Sequence, residues 1–301
     1  MYIYNPNKFS ELIYIMPSSL QYKKIYIDSK YRTSDSNSSS DFKYELPETL
    51  TFHENTVFYL DDICIAHSWN TIIDNINDKL YFKVYVNTPP QEYHFEAKIE
   101  AGNYIGPDLA LEIQTEMNSQ TTAIEANLFT CAYIAKTNKI SISIFNDATK
   151  VYSFRIPTQI ELRTMNWFGP SFDRNKPDDI NEIISNLNNI SERHFIINPF
   201  MSGALYLQPF NNIYIHATNL GNYNTIGCQN ERTIVKKVPV SADRGMQIFD
   251  QCVLMNDYND CSGQTVKTLF FQLKSSRGDI IPLNGNNWSF SLVFSRNNPD
   301  L

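Results

Sequence analysis

VKTLFFQLKSSRGDIIPLNGNNWSFSLVFSR, residues 266–296, decides the fold class. Near its end Trp288, Phe290, Leu292 and Phe294 alternate with Ser289, Ser291, Val293 and Ser295. A side chain reverses face at every residue of a strand, so four large apolar groups share one face. At the start Leu269, Phe271 and Leu273 oppose Gln272 and Lys274 in the same way. The expectation is two long strands forming a half-buried antiparallel pair. A chain closing on such a pair reads as mainly β, an antiparallel β-sandwich of the jelly-roll kind.

Working outward, KKIYIDS (23–29), FKYELP (42–47) and NTVFYLDDICIAHSW (55–69) read as further strands. Asp61-Asp62 interrupts the last one and predicts a bulge or bend. Between the first two lies TSDSNSSSD (33–41), a loop read as too hydrophilic to be buried. The middle differs. LYFKVYV (80–86) and EYHFEAKIE (92–100) form a hairpin around Asn87-Thr88-Pro89-Pro90. A helix follows at Pro107, with Asp108 and Glu112 near its positive end and Leu109, Ile113 and Met117 on one face. Strands at 127–135, 138–146 and 150–157 come next, then a capping box at Thr158 and Glu161. Residues 166–190 read as a junction with a short helix. Strands then return at 203–209 (GALYLQP), 211–219, 231–241 and 246–255.

The architecture expected is therefore an N-terminal arm (1–22), a first part of the jelly roll (23–73), an inserted β-rich domain with one helix (74–170) and a second part (171–301). The insertion is placed between the fourth and fifth sandwich strands. The arm carries Tyr2, Tyr4, Phe9, Leu12, Ile13, Tyr14 and Ile15, apolar enough to pack on its own domain or dock on a neighbour.

Composition narrows the function. The chain has 301 residues, 42% apolar and 19% charged, as a globular protein does. A net charge of −7 argues against binding a phosphate backbone. No run approaches the roughly 18 apolar residues of a membrane span, and MYIYNPNKFSELIYIM is a poor signal peptide. Five scattered cysteines (Cys64, Cys131, Cys228, Cys252, Cys261) fit a reducing compartment, although Cys252 and Cys261 could meet across a hairpin. Sequons at Asn37, Asn189 and Asn287 are idle without a secretory route.

Sandwiches of this kind serve capsid proteins, lectins and cupin enzymes alike. A cupin needs clustered histidines, whereas His53, His67, His94, His194 and His216 are isolated, the nearest pair 14 residues apart. No G-x-S-x-G, P-loop or G-x-G-x-x-G occurs. Asp61 and Asp62 point to opposite faces of a regular strand and act together only at a bulge. Asp178-Asp179 read as a helix start. Lys236-Lys237 read as one exposed and one snorkelling lysine. Of Trp69, Trp167 and Trp288, Trp288 belongs to the core and Trp167 is the candidate for a surface sugar platform. No catalytic, cofactor-binding or metal-binding residue is assigned, and no cofactor is expected.

Six segments in order carry a further signal: KIYIDSKYRTSDSNSSSDFKYELPETL (24–50), NTVFYLDDICIAHSWNTI (55–72), EAGNYIGPDLALEIQTEMN (100–118), GALYLQPFNNIYIHATNLGNYNTIG (203–227), RTIVKKVPVS (232–241) and GDIIPLNGNNWSFSLVF (278–294). This succession resembles the penton (minor capsid, vertex) proteins of virophages and Polinton-like elements. The resemblance implies a virion protein made in the host cytoplasm and forming homopentamers at fivefold vertices. Its neighbours would be a double jelly-roll major capsid protein. An outward-facing inserted domain would be available to a host receptor. The family has no catalytic residues to carry over. A carbohydrate- or receptor-binding β-sandwich and a cupin-like enzyme remain the other classes.

Overall fold

A computed structural model describes residues 22–146, 150–157, 199–221, 225–252 and 257–296. The arm up to residue 21, the Thr158–Glu161 box, Trp167, Asp178-Asp179 with its helix, Asn189 and His194 lie outside the described residues. The chain divides into two compact units, one of residues 1–68 with 212–301 and one of 69–211.

The first unit is a two-sheet antiparallel sandwich. One sheet has the order β1 (Tyr22–Asp28), β15 (Trp288–Arg296), β3 (Thr56–Ala66), β12 (Gln247–Asp250), with the short β13 (Asn259–Asp260) also on β3. The other has the order β11 (Ile234–Pro239), β10 (Asn212–Ala217), β14 (Thr265–Lys274), β2 (Asp41–Thr51). Leaving out β13 and counting the eight principal strands along the chain, the first pairs with the eighth, the second with the seventh, the third with the sixth and the fourth with the fifth. That nesting is a long hairpin rolled into two sheets, which is a single jelly roll. Only three of its strands precede the second unit. Among the described residues the insertion therefore falls between the third and fourth strands, where the expectation had placed it between the fourth and fifth.

The opening stretch is corrected by this wiring. β14 and β15 do not pair with each other. β15 lies between β1 and β3, and β14 lies between β10 and β2. Residues 275–287 cross from sheet to sheet, burying Ile281 and Leu283 on the way. The inward face is nevertheless as expected, with Trp288, Phe290, Leu292, Phe294, Leu269, Phe271 and Leu273 all buried, although Ser291 and Val293 on the other face of β15 are buried as well. They meet across the sandwich, Phe271 against Phe290 at 4.8 Å and Phe42 edge-on to Trp288 at 5.8 Å. Each such side chain removed from water contributes roughly 1.5–3 kcal/mol before entropy is counted.

The polar loop 33–41 is also corrected. Ser39 and Ser40 are buried. The Ser39 carbonyl accepts from the Trp288 indole N–H at 2.8 Å, and the Ser40 carbonyl accepts from Leu273 N–H at 2.8 Å. A serine-rich segment is admitted to the interior when its backbone acceptors find donors there.

Among its described residues the second unit has two three-stranded sheets. One is β5 (Pro90–Lys98), β4 (Lys79–Asn87), β8 (Tyr152–Arg155), and the other is β6 (Phe129–Ile134), β7 (Lys139–Ile144), β9 (Phe200–Met201). Helix α1 (Gly106–Thr121) buries Leu109, Ala110, Ile113 and Met117, as its periodicity predicts. Its Gln114 accepts from Cys131 N–H at 2.8 Å. Asn118 accepts from Phe129 N–H at 2.7 Å and donates to the Phe129 carbonyl at 2.9 Å. Two side chains one turn apart thus act as a surrogate strand along the open edge of β6. The core is centred on Phe129, edge-on to Phe82 at 5.6 Å and to Phe154 at 5.3 Å. Residues 203–209 form no strand. Leu205 instead exchanges hydrogen bonds with Asn138, its N–H to the backbone carbonyl at 2.7 Å and its carbonyl to the side-chain amide at 2.9 Å, and sinks into this core.

Candidate functional site

The outer face of the β1–β15–β3–β12 sheet holds the most developed polar arrangement on the jelly roll. Along β3, Phe58 and Leu60 are buried and so are Ile63 and Ile65, so the inward phase slips by one residue. The slip is a β-bulge. Ser289 pairs with Cys64 and Ser291 with Asp61, leaving Asp62 and Ile63 opposite Phe290 alone. Asp62 takes the left-handed conformation (φ 49°), which aspartate accepts better than most residues. The sequence-predicted bulge is therefore present, and it turns two successive carboxylates toward one cation. Lys24 Nζ lies 2.8 Å from Asp62 and 3.5 Å from Asp61. It reaches them across β15, where Ser291 leaves room and donates to Asp62 at 3.3 Å.

The charges support one another. The hydrogen bond from Lys24 holds the Asp62 carboxyl below the usual aspartate range, and the same bond raises Lys24. Asp61 also accepts from Cys252 N–H at 3.2 Å, tying down the chain that leaves β12. Beside this cluster lies an open groove of about 420 Å³ lined by Tyr26, Asp28, Tyr31, Asp62, Ser289 and Ser291. Tyr26 and Tyr31 stand 74% and 71% exposed at its rim. At the other edge of the sheet Met246 and Phe249 are each 63% exposed. Aromatic rims over a floor of hydroxyls and carboxylates suit a polar surface that must also lose apolar area, such as a protein face or a sugar.

Elsewhere the polar groups tie the jelly roll together. Of the lysine pair, Lys236 is 8% exposed and forms ion pairs with Asp250 at 3.2 Å and with Asp257. It clasps β11, an edge of one sheet, to β12, an edge of the other. Burial works against its charge, yet the two carboxylates hold its pKa above the ordinary lysine value. Lys237 is exposed, so the pair divides into one buried and one exposed lysine. His216 is 1% exposed on the outer side of β10, with Nδ1 2.8 Å from the Thr233 hydroxyl. Burial, aided by Lys274, lowers it to about 4, so it is neutral at pH 7.

The remaining candidates are structural. Trp69 and Trp288 are buried. His67 Nδ1 meets the Ala242 carbonyl at 2.8 Å, and the exposed His94 pairs with Glu92 at 2.7 Å. The five cysteines are free thiols, Cys252 and Cys261 included. Burial pushes Cys131 and Cys261 up to about 12, which removes them as nucleophiles at neutral pH. Among the described residues, no three His, Cys, Asp or Glu side chains gather as a metal would require. No helix among them is long and apolar enough to cross a membrane. Sequence reasoning found the bulge but missed its cation. Lys24 lies far from Asp61 in the chain and is brought there by the β1–β15–β3 register. The tyrosine rim was legible only as outward-facing positions of KKIYIDSKY.

No protein-family model matches the chain, and no curated protein matches it. Among solved structures, it is similar to the crystal structure of the mavirus penton protein. The TM-score is 0.48 and the sequence identity 10%, over 91% of this chain and 99% of that one. At that identity the two are distinct proteins.

Proposed function

We propose that this chain is a structural capsid protein, a penton that forms homopentamers at the fivefold vertices of an icosahedral virion. It contacts a double jelly-roll major capsid protein and acts without catalysis or a cofactor. The observation that carries this reading is the jelly-roll wiring with a separate unit spliced between its third and fourth strands. A jelly roll with an inserted domain is what the ordered segments resembling virophage and Polinton-like pentons imply. A ring requires heterologous contacts, one patch meeting a different patch on the next copy. The Tyr26–Tyr31 rim and the Met246–Phe249 edge lie at opposite ends of one sheet and supply two such patches. The spliced unit is the part available to a host receptor, and the residue 1–22 arm is available to neighbouring capsid proteins.

Co-expression with the cognate major capsid protein, followed by electron microscopy of particles, tests the reading. Fivefold density accounted for by this chain is expected. Particles with vertices that never contain it overturn the reading, whereas a monomer in free solution does not, because ring contacts form on assembly. Deleting residues 1–20 is expected to lower incorporation while leaving the fold intact.

A second reading, a carbohydrate- or receptor-binding sandwich, is favoured by the tyrosine-rimmed groove with its Asp28 and Asp62 carboxylates. Binding on a glycan array that is lost in Tyr26→Ala and Tyr31→Ala supports it. An array without binders excludes it.

A further inference from the structure

The sandwich has four edge strands, and three of them are blunted. β12 is four residues long, β2 carries Pro47 and a register shift, and β11 ends at Pro239 and has a register shift against β10. Short length, proline and bulges are common guards against the addition of another strand. β1 has none of them. It runs seven residues, contains no proline and keeps one register with β15 from Tyr22 to Asp28. Among the described residues it pairs on that side alone. Its two lysines do not guard the edge either. Lys24 reaches back across β15 to Asp62, and Lys23 pairs with Glu48 on β2.

Both faces of this edge offer contacts. On the inner face Ile25 is half-buried, although Leu292 opposite it on β15 is fully buried. The uncovered side of Ile25 is therefore the open edge. On the same face, at the start of β1, lies a groove of about 340 Å³. Leu50, Phe52 and Phe294 form its floor, with the side chains of Lys23, His53 and Arg296 around it. Among the described residues no carboxylate lines this groove, and Lys23 alone of the three has an acidic partner. On the outer face, at the far end of β1, lies the tyrosine-rimmed groove with Asp28 and Asp62. One groove is basic and the other acidic, on opposite faces, and Lys23 and Asp28 stand about 17 Å apart along the strand.

We propose that β1 is a docking edge for an extended segment of a partner protein, which adds to the sheet as a further strand. Main-chain hydrogen bonds to β1 give such a segment affinity, and its alternate side chains give specificity. The period of two fixes the chemistry of the partner. Its inward side chains are apolar opposite Ile25 and acidic opposite Lys23, where Arg296 and His53 can meet a carboxylate. Its outward side chains include an arginine opposite Asp28, which pairs with the carboxylate and stacks on the exposed tyrosine rim. The inference goes beyond the capsid reading and does not depend on it.

The probe is the fluorescein-labelled peptide RVTITE. Antiparallel to β1, it sets arginine opposite Asp28, isoleucine opposite Ile25 and glutamate opposite Lys23. Fluorescence anisotropy with the full chain should show binding, and the charge-exchanged peptide EVTITR should bind at least about tenfold more weakly. Lys23→Glu combined with Asp28→Lys should reverse that preference. Hydrogen exchange of the wild-type chain with RVTITE needs no variant, and should show slowed amides on β1 and unchanged ones on β2, β11 and β12. Four results overturn the proposal. RVTITE does not bind at about 1 mM; both peptides bind equally; the slowed amides lie on another edge; or the outward amides of β1 are already protected in the free chain and lose that protection when residues 1–20 are deleted, which makes the chain's own arm the occupant.

Discussion

The buried neutral histidine of the jelly roll makes a quantitative prediction. His216 lies near 4 when folded and near its ordinary 6.5 when unfolded. The group is depressed, so the unfolded chain binds the extra proton between those values. Stability is full above pH 6.5 and is lost as pH falls toward 4. The whole window corresponds to about 3 kcal/mol, and at pH 5.0 the loss from this one group is about 2 kcal/mol. Lys274 deepens the depression and Glu231 opposes it. The perturbation is His216→Gln, which keeps an amide near the Thr233 hydroxyl and cannot titrate. The assay is urea unfolding between pH 7.5 and 5.0. Fluorescence of Trp288 is followed with Trp69 and Trp167 replaced by Phe, so that the sandwich is read alone. Carboxylate contributions are common to both proteins and cancel in the difference. Wild type is expected to lose about 2 kcal/mol more than His216→Gln over this range. Parallel profiles would refute the reasoning, as would a His216 ring resonance that titrates near its ordinary pKa.

Three further outcomes are expected. Trp288→Phe strands the buried Ser39 carbonyl and should cost about 1–3 kcal/mol beyond its lost volume, read by circular dichroism in urea. Asn118→Leu strips both partners from Phe129 on the open edge of β6. It should cost about 2–4 kcal/mol and release the Phe129 amide to fast hydrogen exchange; an unchanged exchange rate would discount the surrogate-strand role. Lys236→Met leaves Asp250 and Asp257 facing one another and should cost about 1–3 kcal/mol at pH 7. The lysine is raised, so its contribution is complete below pH 10.5 and is lost as pH rises from there through its folded pKa. A stability profile for Lys236→Met that matches wild type through pH 7–9 would show that the clasp contributes nothing.

The bulge shows how much of a site can be read from a chain. Phe58 and Leu60 against Ile63 and Ile65 is a phase slip visible as letters, because a strand has a period of two and Asp61-Asp62 sits at the break. The partner of that bulge is not visible. Lys24 reaches Asp62 only because β15 lies between β1 and β3 and offers a serine at the crossing point. Lys236 shows the same limit. Its alternation fits an edge strand with one polar side, and the two aspartates that enclose it come from β12 and the loop after it.

The closing stretch 266–296 marks the division most clearly. Its letters determined two strands, which side chains face inward, and a two-sheet fold, since alternation is a local property of the backbone. They did not determine that the two strands belong to different sheets. Pairing is chosen by competition among all strands for edges and core. Here Trp288 and Phe290 pack best against Phe42 and Phe271 across the sandwich rather than beside them. That choice rests on distant partners, β1, β2, β3 and β10, and only the tertiary structure brings them together.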